Sequence, residues 1–173
     1  MTDLVGDYVV KVFISHSRLD NWLVEPICEI LRENGVNPYV AEIEAPEAKS
    51  LPVKFRDHIQ TSNVIILLLT KNVMKHKTTR DIINWEVATA HALNKPIYAF
   101  REEGVDVPLM ISQITDYFTY KRVKKKDITK VLNNIKKIAQ DLKDNEDAIN
   151  AIIILFAVGL GVILFSYLLS KAK

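Results

Sequence analysis

Several features that define common protein classes are absent from this chain of 173 residues. It has a single cysteine, Cys28, so it cannot form an intramolecular disulfide, and it fits a reducing compartment. The N-terminal sequence MTDLVGDYVV has no basic segment followed by an apolar one, and no signal peptide is therefore predicted. Together these absences predict that the soluble part of the protein faces the cytoplasm.

Motifs of several enzyme classes are also missing. The sequence contains no GxGxxG fingerprint, no P-loop, no GxSxG elbow and no HExxH motif. Its four histidines lack the spacing of metal ligands, so no metal site is predicted. No cofactor is expected either. The basic segment Lys121–Lys126 (KRVKKK) is compatible with nucleic acid. Because an apolar segment follows it, anionic lipid or simple solvation is the better interpretation, and no nucleic-acid partner is expected.

Charge is absent from residues 148–170, AINAIIILFAVGLGVILFSYLLS. As a helix this segment would rise about 34 Å, enough to cross a hydrocarbon core of about 30 Å. It is apolar on every side, which argues against a surface helix and leaves a buried core helix as the alternative. We predict a C-terminal transmembrane anchor with the lipid bilayer as a partner. Ala157 and Gly161 have a spacing that allows close helix approach and self-association.

Apolar runs and amphipathic patterns alternate along the rest of the chain. Short β-branched and aromatic runs predict strands at residues 9–14, 37–41, 64–69, 96–100 and 114–120. Helical spacing predicts helices at 19–31, 55–61 and 81–93. The alternation predicts an α/β fold with a doubly wound parallel sheet, in which 64–69 is the central strand and 114–120 an edge strand.

The same patterns divide the chain into three parts. Residues 1–120 are predicted to form one α/β domain, and 121–147 to form a basic segment and an amphipathic helical stalk. Residues 148–170 form the predicted transmembrane helix. The connection Lys71–Thr79 is basic and is expected to be irregular.

Three features lie where such a sheet binds its ligands, beyond the carboxyl ends of the strands. The first is Ser15-His16-Ser17 with Asp20, where a helix begins and a phosphate could bind. Ser17 and Asp20 can equally be helix N-caps, with Gly35 ending the helix. The second is the polar loop Glu42–Pro52, which can also be an ordinary surface loop.

The third feature is Glu86, which follows Trp85 near apolar helix positions. A carboxylate beside an aromatic wall is partly desolvated, and this tends to raise its pKa. Such a group could stabilise a cationic transition state or orient a hydroxyl. The alternative is a charge on the helix surface.

Three segments resemble those of TIR (Toll/interleukin-1 receptor) domains of the prokaryotic type. KVFISHSRLD is similar to their first strand and loop, and KFRDHIQTSNVIILLLTKN to their second helix and third strand. NWEVATAHALNKPIYAF resembles the helix and strand that follow. The similarity extends from Val9 to Tyr120.

The resemblance implies a flavodoxin-like, five-stranded fold with Glu42–Pro52 as the BB loop. It also implies cleavage of NAD+, as a substrate, at the nicotinamide–ribosyl bond, by hydrolysis or cyclisation. Glu86 corresponds to the catalytic glutamate of the family. An anion near the ribose suits an oxocarbenium-like transition state, as in glycosidases.

The candidate substrate-binding residues are Ser15, His16, Ser17, Asp20 and Trp85. Many family members carry an aromatic residue four positions before the glutamate, where this chain has Ile82.

The leading hypothesis is a membrane-anchored TIR NAD+ hydrolase or ADP-ribosyl cyclase in antiviral defence or stress signalling, with self-association through the TIR domain. The alternative is a non-catalytic TIR adaptor that recruits other TIR proteins to the membrane. A third hypothesis is a nucleotide sensor whose tail perturbs the membrane.

Overall fold

Five strands form one parallel sheet in the computed structural model, which describes residues 9–41, 51–106 and 114–145. The strands are β1 (Lys11–Ser15), β2 (Asn37–Val40), β3 (Val64–Leu69), β4 (Ile97–Glu102) and β5 (Asp116–Tyr120). Their order across the sheet is β2-β1-β3-β4-β5. This order confirms the predicted flavodoxin-like fold, the central position of β3 and the edge position of β5.

The central strand is apolar because both of its faces are covered. All six residues of β3 are buried, as expected for a strand between two layers of helices. One layer consists of α1 (Asn21–Glu33) and of α5, which covers residues 125–145. The other consists of α2 (Leu51–Thr61), α3 (Lys71–Lys75) and α4 (Lys77–Ala92). Helices therefore cover both faces, as the sequence predicts.

The start of α1 differs from the prediction that Ser17 or Asp20 caps the helix. A 3₁₀ turn at Arg18–Asp20 precedes α1, and the Ser17 hydroxyl accepts a hydrogen bond from the backbone N–H of Leu19 at 3.4 Å. Asp20 stands directly before α1 but makes no side-chain capping bond. Gly35 follows the helix with φ +74°, so the predicted glycine stop is confirmed.

The prediction of an irregular connection at Lys71–Thr79 is wrong. Thr70 caps α3 by accepting a hydrogen bond from the N–H of Val73 at 3.3 Å, and Val73 is fully buried. The next helix, α4, then begins at Lys77, four residues before the predicted start at Asp81. A single buried valine anchors this five-residue helix, and such a short element leaves no periodic pattern in the sequence.

The amphipathic helix after residue 120 packs on the sheet and does not stand apart as a stalk. Its apolar stripe, Val131, Ile135, Ile138 and Ala139, is buried in the same core as α1. The predicted domain boundary at residue 120 therefore cuts through one hydrophobic core. Near the end of α5, the Lys143 side chain lies beside Gly35, so α5 runs back toward the amino ends of the strands.

The predicted transmembrane helix, residues 148–170, and the predicted BB loop, Glu42–Pro52, fall outside the described residues except for Leu51 and Pro52, which begin α2. Among the residues that are described, no helix is both long and apolar enough to cross a membrane. The membrane anchor stays a prediction from the sequence.

Candidate active site

The carboxyl ends of β1 and β3 meet at the point where the strand order reverses, which is where folds of this type bind ligands. Ser15 is the last residue of β1, and its backbone pairs with Leu67 of β3. Side chains alternate between the faces of a strand, so Ser15 shares a face with Phe13. Phe13 packs in the core beneath α4, and Ser15 therefore faces the helix that carries Glu86.

Glu86 meets Ser15 inside the protein. The Ser15 hydroxyl donates a short hydrogen bond to Oε2 of Glu86, although the two residues are 71 positions apart in the sequence. Glu86 is only 1% exposed, and Ser15 is also 1% exposed. The alternative that Glu86 is a charge on the helix surface is therefore wrong.

The two carboxylate oxygens of Glu86 differ in their surroundings. Oε2 accepts from Ser15, whereas Oε1 is buried and has no hydrogen-bond partner among the residues that the structure describes. Burial raises the pKa of Glu86 to about 7, while the Ser15 hydrogen bond acts in the opposite direction. At neutral pH this group can carry a negative charge or a proton, which suits electrostatic or acid–base catalysis.

His16 and Ser17 lie beside this pair in the loop after β1. Both are buried, with 3% and 5% of their surface exposed. Nε2 of His16 lies 3.1 Å from Oδ1 of Asn21, which joins the loop to the first turn of α1. These contacts fix the path of the backbone directly after Ser15.

Asp20 lies in a separate polar cluster. Its side chain is fully buried, and its oxygens accept from the Thr70 hydroxyl at 2.5 Å and from Nδ2 of Asn72 at 2.6 Å. Nη1 of Arg122 lies 3.9 Å from Oδ1 of Asp20, and the guanidinium stacks over the Trp22 ring at 4.9 Å. Asp20 therefore ties the loop after β1 to the segment that follows β3.

Thr70 and Asn72 are site-edge residues that sequence reasoning missed. Thr70 directly follows β3 and Asn72 lies in α3, and their position near the carboxyl end of the central strand was the signal that could have identified them. Trp85 adjoins Glu86 in the chain but is half-buried and packs on the core beneath α4. Ile82 packs on the same core.

No metal site coincides with Glu86 in the part of the chain that the structure describes. No group of three or more histidine, cysteine or acidic side chains is placed to hold a metal ion there. A cavity of about 320 Å³ lies along α1, where it is lined by residues such as Cys28 and Arg32. Glu86 is not among the residues lining this cavity.

Strand order, helical layers and a buried carboxylate at the reversal point together define a flavodoxin-like α/β domain with one candidate active site. The TIR domain family pattern matches residues 12–132, and the chain belongs to the TIR domain family. TIR domains include NAD+ hydrolases and signalling adaptors, and they associate with each other and with other TIR proteins.

Solved structures of other proteins share the fold at low sequence identity. The 2-deoxyribosyltransferase of Bacillus psychrosaccharolyticus is 18% identical with a TM-score of 0.53, over 72% of this chain and 91% of that one. The CMP N-glycosidase BcmB of Clostridium botulinum is 18% identical with a TM-score of 0.51, over 70% and 97%. A diflavin flavoprotein A3 of Nostoc sp. is 13% identical with a TM-score of 0.56, over 80% and 96%.

At these identities the likeness shows the fold alone. The comparison with curated proteins finds no match.

Proposed function

We propose that this TIR domain cleaves NAD+ at the nicotinamide–ribosyl bond and that Glu86 is its catalytic residue. One observation carries the proposal: a buried carboxylate at the sheet's ligand-binding edge has one oxygen held by Ser15 and the other without a partner among the described residues. The family match supplies the reaction class.

The chemistry follows from the charge that develops on the ribose. The C1′–N bond breaks with both electrons leaving on nicotinamide, which departs as a neutral base, and positive charge appears on the ribosyl C1′ and ring oxygen. Oε1 of Glu86 stabilises that cation because a carboxylate in a dry site interacts with charge more strongly than one in water. Attack by water then gives ADP-ribose and a proton, whereas attack by a nucleophile of the same molecule gives a cyclic product.

The other predicted site residues take supporting places in this proposal. His16 and Ser17 line the nucleotide side of the loop after β1, and Trp85 lies beside Glu86 on α4. The Asp20 oxygens already accept from Thr70 and Asn72, so Asp20 contributes by holding that loop in place. Neither a metal nor a cofactor takes part, and NAD+ is the substrate.

The cellular setting is part of the same proposal. Residues 148–170 anchor the chain in a membrane, with the TIR domain on the cytoplasmic side. Tethering in two dimensions raises the local concentration of TIR domains and promotes their association. A defence or stress-signalling role in a prokaryote fits an enzyme that destroys a common metabolite when it clusters.

A non-catalytic adaptor is the second candidate function. It is favoured by one observation, the 1% exposure of Glu86, because a catalytic group must reach its substrate. In this alternative Glu86 is a buried structural carboxyl, and the domain acts by binding other TIR proteins.

The full-length protein on liposomes at high surface density, incubated with NAD+, distinguishes the two candidates. We expect nicotinamide release by the wild-type protein and its loss in Glu86→Gln and Glu86→Ala. Glu102→Gln is the matched control, because Glu102 is another buried glutamate, 4% exposed, whose Oε2 accepts from the N–H of Lys71 at 3.0 Å. Turnover that survives both Glu86 variants contradicts the site assignment, and no turnover by the clustered wild-type protein favours the adaptor.

A further inference from the structure

The Ser15 side chain makes a different contact from the one that the sequence predicts. Ser15 was expected to face a nucleotide, but its side chain points to α4 and donates to Oε2 of Glu86. Its single hydroxyl hydrogen is used in this hydrogen bond and is not available to a ligand. Its chemical action must therefore pass through Glu86.

Ser15 is held more rigidly than an ordinary loop serine. It ends β1, and β1 lies between β2 and β3 with hydrogen-bonded pairing on both sides. The hydroxyl thus has a position set by the middle of the sheet, while Glu86 comes from a helix packed on that sheet. A donor on a rigid element fixes one carboxylate oxygen and thereby the direction of the other.

We propose that Ser15 is a positioning residue for the proposed reaction. Its hydroxyl donates to Oε2, which keeps the Glu86 carboxylate ionised and fixes its orientation, so that Oε1 faces the ribosyl cation. This inference rests on the proposed function. It accounts for the unequal surroundings of the two oxygens, since one has a fixed donor and the other has no partner among the described residues. A hydrogen bond to the charged form also favours ionisation against the effect of burial.

The test measures nicotinamide release from NAD+ by the full-length protein on liposomes. It compares the wild type with Ser15→Ala, Ser15→Thr and the control Ser62→Ala. Ser62 is a matched control because it is 2% exposed and its hydroxyl makes one hydrogen bond, to the carbonyl of His58 at 2.7 Å. We expect Ser15→Ala to lower kcat by about 10- to 100-fold with KM changed by less than about threefold, as for loss of a hydrogen bond to a charged group. Ser15→Thr keeps the hydroxyl and should recover most of kcat.

The pH profile separates positioning from a merely structural role. The acid limb of kcat reports the ionisation of Glu86, and Ser15→Ala should move it upward by about one pH unit, because the ionised carboxylate loses its donor. A uniform loss of kcat with an unmoved limb overturns the proposal, and so does full activity in Ser15→Ala.

A measurement that does not depend on turnover tests the contact between Ser15 and Glu86 separately from the proposed NAD+ cleavage. Titration of 13C-labelled glutamate by NMR follows the Glu86 carboxyl directly in detergent-solubilised protein. If the wild-type protein releases no nicotinamide, the proposed function fails, and the catalytic part of the Ser15 role fails with it. The positioning contact itself is then supported by a higher Glu86 pKa in Ser15→Ala and overturned by an unchanged one.

Discussion

The buried carboxyl of Glu86 makes the stability of the protein depend on pH in a predictable direction. Burial raises its pKa from an ordinary 4.5 to about 7 in the folded state. Between these two values the folded protein keeps a proton that the unfolded chain has released, so the free energy of unfolding decreases as pH rises. The contribution is fully present below pH 4.5 and is lost once pH passes about 7.

The magnitude follows from the difference between the two pKa values. A difference of about 2.5 pH units, at about 1.36 kcal/mol per unit, amounts to about 3 kcal/mol. Glu86→Gln is neutral at every pH and removes this dependence. We expect wild-type stability to fall by about 3 kcal/mol relative to Glu86→Gln between pH 4 and pH 8.

Urea unfolding in detergent measures this difference, with tryptophan fluorescence as the signal. The chain has two tryptophans, Trp22 and Trp85, and both lie in the folded domain, so the signal reports the unfolding of that domain. Glu103→Gln is the control, because Glu103 is exposed and surface substitutions usually change stability by less than about 0.5 kcal/mol. Parallel decreases in wild type and Glu86→Gln would refute the reasoning.

Three further predictions concern the packing around the site and use the same unfolding assay. Asp20→Ala removes the acceptor shared by two buried donors, the Thr70 hydroxyl and Nδ2 of Asn72, and should cost about 2 to 4 kcal/mol, whereas the exposed Asp81→Ala should cost less than about 0.5 kcal/mol; equal effects would contradict the role given to Asp20. Ile135→Ala, at a fully buried position of α5, should cost about 2 to 5 kcal/mol, and a loss no larger than that of the exposed Lys136→Ala would show that α5 is not part of the core. Gly35→Ala should cost about 1 kcal/mol because the backbone has φ +74°, whereas the added Cβ would cause no clash, since its nearest neighbour, Cε of Lys143, would lie 3.7 Å away. An unchanged stability would mean that the backbone there relaxes.

The strands could be predicted well because their signal is local. Val64–Leu69 is apolar at every position, and the structure gives β3 the same bounds. The order of strands and helices along the chain was enough to indicate the doubly wound sheet. The five-residue α3 was missed because its stabilising features are one cap, Thr70, and two buried side chains, Asn72 and Val73, of which only Val73 is apolar.

The contacts of the site could not be predicted because they join distant parts of the chain. Glu86 was identified from its apolar helical context, but its partner Ser15 is 71 residues away. Asp20 was assigned to the substrate, whereas its partner Thr70 lies 50 residues further along the chain. A sequence shows which residue types are available, and only the register of strands and helices decides which of them meet.

The path of α5 determines which side of the domain can meet other molecules. α5 begins beyond the carboxyl end of β5 and reaches Gly35 near the amino ends of the strands, a rise of about 30 Å over residues 125–145. The described part of α5 therefore ends on the side of the domain opposite Ser15 and Glu86. A molecule that binds at the carboxyl edge of the sheet, where Ser15 and Glu86 lie, therefore approaches the domain from the side away from the end of α5.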